Sequence, residues 1–205
     1  KFQIFYLSLW SSFWGSLYYD DDLYIMVMED LKGHVILRTG MMQQKKYPKL
    51  AKDTAYFFAN SLIRTSDIVL ESKEKKDEVL RFINKDLCDL TEKLVLTSPT
   101  YNDPRKRVEN HLKEFERDEI IDNEDVVLAF AKLKHKFMTH AQALLHGDPH
   151  TGSVFVTEKS TKFFDAEFGF YGPMGFDIGL FLGNLLMNAV YQKVTGFDDY
   201  YDWVK

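Results

Sequence analysis

The apolar positions of the chain follow helical spacing over most of its length and strand-like spacing only in short runs. Residues 23–28 form a short β-type run, for which we expect a buried strand. Helical periodicity predicts three helical regions, over about 47–70, 73–96 and 123–145. The second is expected to break near Asn84, and a last long helix to begin near Asp177. An α+β protein in which helices dominate is therefore expected.

The same spacing predicts which side chains face the core. The third helical region would carry Ala141, Leu144 and Leu145 on its apolar face. The last helix would turn five apolar side chains inward: Ile178, Phe181, Leu182, Leu185 and Leu186. Two short strands are predicted at 154–156 and 162–164, joined by a turn. The polar, proline-containing stretch 97–122 is expected to be a loop or a weak helix.

The N-terminal residues 2–19 carry no charge and are rich in aromatic side chains. One interpretation is a signal peptide or a membrane span, which would suit a membrane-anchored regulator. The other is a piece of a truncated β-rich lobe, or a mistranslated end of the gene. Polar residues interrupt the run and three aspartates follow it directly, so we favour the second interpretation and expect no membrane association.

The charge balance and the cysteine count argue against several classes of protein. The chain has 26 Lys+Arg against 31 Asp+Glu, a net charge of −5, and this acidic balance argues against a nucleic-acid partner. A single cysteine, Cys88, excludes a disulfide framework and a cysteine zinc site. A cytoplasmic location is therefore expected.

Nearly all the candidate chemistry lies between His146 and Gly179. Asp148, in the sequence His-Gly-Asp before a predicted strand, can accept a proton from an attacking hydroxyl. Ser153 stands five residues later, where the catalytic loop of a kinase places its metal-binding Asn. Asp165 and Glu167 follow the predicted hairpin, and on an extended, twisted backbone both carboxylates would approach one Mg²⁺ ion. A base loop, two strands and an acidic motif follow in the order typical of a kinase-like catalytic core.

Other residues of this segment have simpler interpretations. His146 is expected to be a structural loop residue satisfied by backbone hydrogen bonds. A metal pair formed with His150 would need a helix, which Gly147 and Pro149 disfavour. The residues alone suggest that Asp177 is a helix N-cap.

The combined motifs are more specific than each piece. HGD-x-HTGS followed by D-x-EF-x-FYGPMGFDIG resembles the methylthioribose kinases, which belong to the aminoglycoside-phosphotransferase and choline-kinase branch of the protein-kinase-like fold. The resemblance extends back through AQALLHGD and INKDLCDLTEKLV to VMEDLKGHVILR. It covers roughly residues 24–193.

The resemblance implies a fold and a reaction. Residues 1–31 would be a remnant of the N-terminal nucleotide-binding β lobe with its hinge, and residues 32–205 a helical C-terminal lobe carrying a small catalytic β-hairpin. The reaction would move the γ-phosphate of ATP to the 1-hydroxyl of 5-methylthioribose in methionine salvage. ATP and Mg²⁺ would be the cofactors, and the family suggests a homodimer.

The resemblance also implies residue roles. Asp148 would be the base and would contact the sugar hydroxyl. Asp165 and Glu167, with Ala166 between them, would hold Mg²⁺ and through it the ATP phosphates. The segment Glu29, Asp30 and Leu31 would be the hinge that binds adenine. Three residues would support the catalytic loop: His146, Ser153 and Asp177.

The sequence departs from the family pattern at several points. Nothing before Glu29 resembles the nucleotide-clamping lobe, and the later arginine-bearing segment does not appear before Lys205. We therefore expect a fragment, and a poor or inactive kinase in isolation. Pro149 replaces the usual Leu and is predicted to bias Asp148 away from the αR conformation and to remove a loop N–H. Ala166 replaces the usual Pro.

Two further functions stay open from sequence. One is another small-molecule kinase of the same branch, acting on an aminoglycoside, choline or homoserine. The other is a catalytically inactive binding or scaffold protein that keeps the fold.

Overall fold

The computed structural model describes residues 16–20 and 22–205. Residues 1–15 hold most of the uncharged N-terminal run, so the two interpretations of that run lie largely outside the described residues. The last four residues of the run, 16–19, lie in a strand that spans Ser16–Asp20.

Helices and short strands alternate through the described residues, which confirms a mixed α and β protein. The strands are β1 (Ser16–Asp20), β2 (Ile25–Met28), β3 (Val35–Ile36), β4 (Ala143–Leu144), β5 (Val154–Val156), β6 (Thr161–Phe163) and β7 (Tyr171–Gly172). The α-helices are α1 (Leu37–Met42), α2 (Leu50–Phe58), α3 (Ser72–Arg81), α4 (Lys85–Leu94), α5 (Lys113–Glu116), α6 (Glu124–Thr139), α7 (Met174–Val194) and α8 (Asp198–Val204). Short 3₁₀ turns and two π-helical segments, Ala59–Ile63 and Arg117–Ile121, extend or connect them.

The predicted strand at 23–28 forms over Ile25–Met28, but the expectation that it is buried is wrong. It pairs with β1 as an antiparallel ribbon, with Asp20 opposite Ile25. Ile25, Met26 and Val27 are all exposed. Within the described part of the chain this ribbon has two strands.

The predicted hairpin is confirmed within one residue at its ends. β5 pairs with β6 in antiparallel register, with Val154 opposite Phe163. The sequence did not predict the third strand of this sheet: β3 joins the other edge of β5, with Val35 opposite Val156. The hairpin is therefore fixed to the segment that directly follows the predicted hinge.

The third helical region ends earlier than predicted. α6 stops at Thr139, and residues 143–144 form β4, which pairs with β7. The Leu144 N–H donates to Thr65 Oγ1 at 2.8 Å, a bond that a helical backbone would not leave available. Leu144 and Leu145 are buried as predicted, but on a strand and the loop that follows it. Ala141, predicted on the same face, is partly buried. Tertiary pairing has overridden the helical spacing of these apolar residues.

The core lies behind the hairpin and fixes its position. Phe57 on α2 stacks on Phe163 of β6, with ring centroids 4.0 Å apart and planes within 5°. Phe58 and Phe181 pack on the same ring from α2 and α7. Such aromatic burial is a large apolar contribution with specific geometry. The strand that leads into Asp165 is therefore held from behind by two helices.

The last long helix begins at Met174, three residues before the predicted start, with Pro173 at its N-cap. Phe181 is buried and Leu185 partly buried, as predicted. The prediction is wrong for Ile178, Leu182 and Leu186, which are exposed among the described residues. In the part of the chain that the structure describes, α7 is the helix that is long and apolar enough to cross a membrane, on length and composition alone.

Candidate active site

The predicted catalytic loop, called the catalytic loop below, runs from β4 to β5 and carries Asp148. Gly147, just before it, has φ +87°, a conformation that glycine adopts readily and other residues rarely. A Cβ at this position would collide with the carbonyl oxygen of Phe168. The loop thus passes so close to the acidic motif that glycine is required at this point.

Asp177 holds the catalytic loop from the first turn of α7. One carboxylate oxygen accepts the His146 N–H at 2.7 Å and the other accepts the Gly147 N–H at 3.1 Å. The N-cap interpretation of Asp177 is therefore wrong, because the residue lies inside the helix and its carboxylate faces another segment. Burial raises the pKa of Asp177 to about 7, although the two N–H groups oppose this effect. Its location agrees with the brace that the resemblance implied.

His146 joins the catalytic loop to the strand that leads into the acidic motif. Its Nε2 lies 2.9 Å from the Phe164 carbonyl oxygen, which can only accept, so Nε2 carries the proton. Nδ1 then accepts the Asp148 N–H at 3.3 Å. Full burial lowers the pKa of His146 to about 4 and keeps the ring neutral near pH 7. Both nitrogens are occupied, so a metal pair with His150 has no free nitrogen on His146.

Asp148 is half-buried, with its carboxylate facing other charged groups. His150 Nε2 lies 3.6 Å from Oδ2 of Asp148. Desolvation raises the pKa of Asp148 and Asp165 adds to the rise, while His150 and Arg38 oppose it. A carboxylate with a raised pKa that still reaches solvent is suited to accepting a proton.

Pro149 lies in the loop directly after Asp148. It is buried, and the His150 N–H donates across it to the Asp148 carbonyl oxygen at 2.9 Å. Asp148 keeps its own N–H bond to His146. The proline therefore leaves the bonds around Asp148 intact, although it contributes no N–H of its own.

The acidic motif follows β6, but its backbone is not extended as predicted. Asp165 has φ 70° and ψ 45°, a left-handed conformation that Asp tolerates better than most residues. Ala166–Phe168 then form a 3₁₀ turn. Ala166 points into the core, while Asp165 and Glu167 are exposed. The tight turn, and not an extended strand, brings both carboxylates to the surface.

The electrostatics of these carboxylates fit a hard cation. Desolvation raises the pKa of Glu167, and the charges of Asp165 and Asp148 raise it further. Three carboxylates therefore repel one another here, and a divalent cation would relieve that repulsion. Among residues 16–20 and 22–205 no cluster of three or more ligand-type side chains could hold a metal unaided. Mg²⁺ takes one or two protein carboxylates and completes its shell with phosphates and water.

Ser153 and Arg38 both contact the ring of His150, which lies beside Asp148. Ser153, predicted from its spacing, is buried, and its Oγ lies 3.3 Å from Nε2 of His150. Arg38, which the sequence did not predict, places Nη2 3.3 Å from Nδ1 of the same ring. Its backbone N–H donates to the Thr151 carbonyl oxygen at 2.9 Å, which ties α1 to the catalytic loop. Arg38 is the last residue of the VMEDLKGHVILR segment, but neither spacing nor periodicity gave it a role, because its contact with His150 crosses 112 positions.

The predicted hinge segment lies between β2 and β3. Oε2 of Glu29 pairs with Nζ of Lys162 at 3.0 Å, which links the segment to β6. The Leu31 carbonyl oxygen accepts the His34 N–H in a turn, and Asp30 is exposed. The structure thus connects the hinge segment to the same strand that leads into Asp165.

A small apolar cavity opens beside the catalytic loop. Its volume is about 150 Å³, and Gly147 and Asp148 form one side of it. Apolar side chains from three other segments line the rest, among them Leu90, Phe168 and Leu180. Asp148 therefore lies beside an apolar cavity and also interacts with Asp165 of the acidic motif.

The arrangement can orient a hydroxyl, accept its proton and hold a divalent cation, as a phosphotransfer site requires.

The chain matches no family model. It is 46% identical to a methylthioribose kinase of Cronobacter sakazakii over 83% of the chain and 43% of that protein. It is 43% identical to one of Geobacillus sp. over 84% of the chain and 43% of that protein. A third, of Escherichia coli, is 42% identical over 91% of the chain and 46% of that protein.

These similarities confirm the resemblance inferred from the motifs: the chain is similar to methylthioribose kinases over most of its own length. It spans somewhat less than half the length of the curated relatives that it matches.

Proposed function

We propose that the protein carrying this chain transfers the γ-phosphate of ATP to the 1-hydroxyl of 5-methylthioribose, a reaction of methionine salvage. The observation that carries the proposal is identity above 40% to methylthioribose kinases over at least 83% of the chain. The geometry supports it, because His146 joins the Asp148 loop to Phe164, the residue directly before Asp165.

The proposal includes the protein-kinase-like fold. Residues 1–31 belong to the nucleotide-binding lobe and hinge, and residues 32–205 to the helical lobe. Glu29, Asp30 and Leu31 face the adenine, with backbone groups as its partners. The reaction takes place in the cytoplasm, and the protein works as a homodimer.

Asp148 orients the sugar and accepts its proton. As the hydroxyl oxygen forms its bond to the γ-phosphorus, the bond to the β–γ bridging oxygen breaks and ADP leaves. The hydroxyl proton moves to the Asp148 carboxylate. Asp177 and the neutral His146 ring keep the loop in place while this charge changes.

Asp165 and Glu167 hold Mg²⁺, which supplies charge neutralisation at the phosphates when bound. The two side chains fit this task because both are exposed on one tight turn and both are oxygen ligands. Ser153 supports the loop through the His150 ring.

A screen of phosphate acceptors with the native protein tests the proposal. Purified protein is incubated with Mg·ATP and one of 5-methylthioribose, ribose, choline, homoserine or kanamycin, and ADP release is followed. We expect 5-methylthioribose to be turned over at least tenfold better than every other acceptor. Preference for another acceptor would assign a different small-molecule kinase. Binding of Mg·ATP without turnover of any acceptor would support the catalytically inactive binding protein.

A further inference from the structure

Asn84 lies between α3 and α4 and reaches the acidic motif from a distant part of the chain. Its Nδ2 donates to the Glu167 carbonyl oxygen at 2.8 Å and to the Gly169 carbonyl oxygen at 3.0 Å. Asparagine at the start of a helix usually caps it, but the Asn84 side chain makes no cap bond to α4. Both amide hydrogens are thus directed at one turn more than 80 positions away.

The backbone of Asn84 is adapted to this contact. Its φ of 39° and ψ of 47° are left-handed, a conformation that Asn adopts more easily than most residues. The same conformation separates α3 from α4. The break that the sequence predicted at Asn84 therefore also directs its side chain toward Glu167 and Gly169.

The turn that Asn84 holds is short. Ala166–Phe168 form a single 3₁₀ turn, closed by the Gly169 N–H donating to the Ala166 carbonyl oxygen at 3.0 Å. Its inner side lies against the catalytic loop, where the Phe168 carbonyl oxygen takes the space that a Cβ on Gly147 would need. Asn84 bonds the carbonyls on either side of Phe168. The turn is therefore held between Asn84 and the catalytic loop.

We infer that Asn84 is a positioning residue for the metal motif: its two hydrogen bonds set the Glu167 carboxylate relative to Asp165. Asp165 follows β6 directly, whereas Glu167 lies inside the turn whose carbonyls Asn84 fixes. The inference rests on the proposed function, because it takes Asp165 and Glu167 as the Mg²⁺ ligands. Residues that orient metal ligands in this way typically change metal affinity about 10- to 100-fold when replaced.

Mn²⁺ binding tests the inference without relying on turnover. Mn²⁺ is titrated into the native protein with ADP present, and free Mn²⁺ is measured by electron paramagnetic resonance. Asn84→Asp keeps the size of the residue and its ability to adopt a left-handed backbone conformation. It places a carboxylate oxygen, which cannot donate, opposite both carbonyl oxygens. Asn84→Gly keeps the backbone conformation and removes the side chain, so it serves if Asn84→Asp does not fold. We expect each variant to weaken Mn²⁺ binding roughly tenfold.

Asn123→Gly is the matched control. Asn123 is a true N-cap, whose side chain accepts the Val126 N–H at 3.3 Å at the start of α6. Its loss is expected to lower stability slightly and to leave Mn²⁺ affinity unchanged. If the Asn84 variants lower the unfolding temperature but bind Mn²⁺ as tightly as the wild type, Asn84 is merely structural and the inference is overturned.

Asp165→Asn separates this inference from the proposed function. If it abolishes Mn²⁺ binding while the Asn84 variants leave affinity unchanged, the metal motif stands and the role of Asn84 is overturned. If Asp165→Asn also leaves affinity unchanged, the assignment of the metal motif itself is contradicted.

Discussion

The Asp177 carboxylate accepts the backbone N–H of His146 at 2.7 Å, although the two residues lie 31 positions apart. The same carboxylate accepts the Gly147 N–H. Because both donors lie in the two residues before Asp148, the first turn of α7 sets the path of the loop that carries the proposed base. Helix and loop are thereby coupled at a buried position.

Replacing Asp177 by Asn tests this coupling. An amide of the same shape offers one oxygen, so one of the two buried N–H groups loses its acceptor. A buried polar group without a partner costs about 1–3 kcal/mol, and we expect a loss of stability in that range. We also expect kcat to fall more than KM changes, because the loop positions the base. Denaturant unfolding and steady-state kinetics give the two values; unchanged stability and kcat would contradict the coupling.

The pH dependence of stability should show two buried groups acting in opposite directions. The folded-state pKa of Asp177 is raised to about 7. The contribution of Asp177 to the free energy of unfolding is therefore present at low pH and is lost as pH rises through that value. The folded-state pKa of His146 is lowered from 6.5 to about 4, so its contribution is present above pH 6.5 and is lost as pH falls through about 4. Over pH 4–6.5 the two slopes therefore oppose each other.

Single variants should separate these slopes. In Asp177→Asn we expect the free energy of unfolding to rise more steeply with pH between 4 and 6.5 than in the wild type, because His146 acts unopposed. His146→Gln should show a smaller rise than the wild type, or a fall, over the same range. The measurement is denaturant unfolding at several pH values. Identical slopes in all three proteins would show that these groups do not titrate as described.

Gly147→Ala tests the close approach of the two loops. Its Cβ would meet the Phe168 carbonyl oxygen, and φ is +87°, so we expect a loss of more than about 1 kcal/mol. Gly183→Ala is the control: Gly183 lies within α7 and a Cβ there meets nothing within 4 Å. That variant should be stabilised by roughly 0.5–1 kcal/mol. Equal effects on the unfolding free energy in both variants would contradict the proposed packing.

Arg38→Gln tests the charge environment of Asp148. Arg38 lowers the pKa of Asp148, against the larger effect of desolvation, which raises it. Removing the cation should raise this pKa further and move the acidic limb of the kcat/KM profile to higher pH, because the base must be ionised. Arg38→Lys keeps the charge and should leave the limb nearer its wild-type position. A limb that does not move in Arg38→Gln would show that Asp148 does not feel this charge.

The sequence predicted those features that depend on residues close together in the chain. The hairpin at 154–156 and 162–164 follows from two short apolar runs on either side of a polar turn, and the break at Asn84 from a residue that favours non-helical backbone. The sequence motifs placed Asp148, Asp165 and Glu167 in one segment, and the turn at Ala166 directs both acidic side chains outward.

Features that depend on contacts between distant segments were not predictable in this way. Ala141, Leu144 and Leu145 have helical spacing, yet pairing with β7 makes residues 143–144 a strand. The apolar residues of α7 suggested a wider buried face than the described residues provide. The contacts of Asn84 and Arg38 cross 83 and 112 positions, so no local pattern could indicate them.

The most direct test of the proposed function is the rate of ADP release from Mg·ATP and 5-methylthioribose, measured with the native protein and with Asp148→Asn. The variant keeps the shape of the side chain and removes the proton acceptor. We expect wild-type turnover and a loss of kcat of about 10²- to 10⁴-fold in the variant, with the KM for ATP little changed. Undiminished kcat in Asp148→Asn would contradict the assignment of Asp148 as the base.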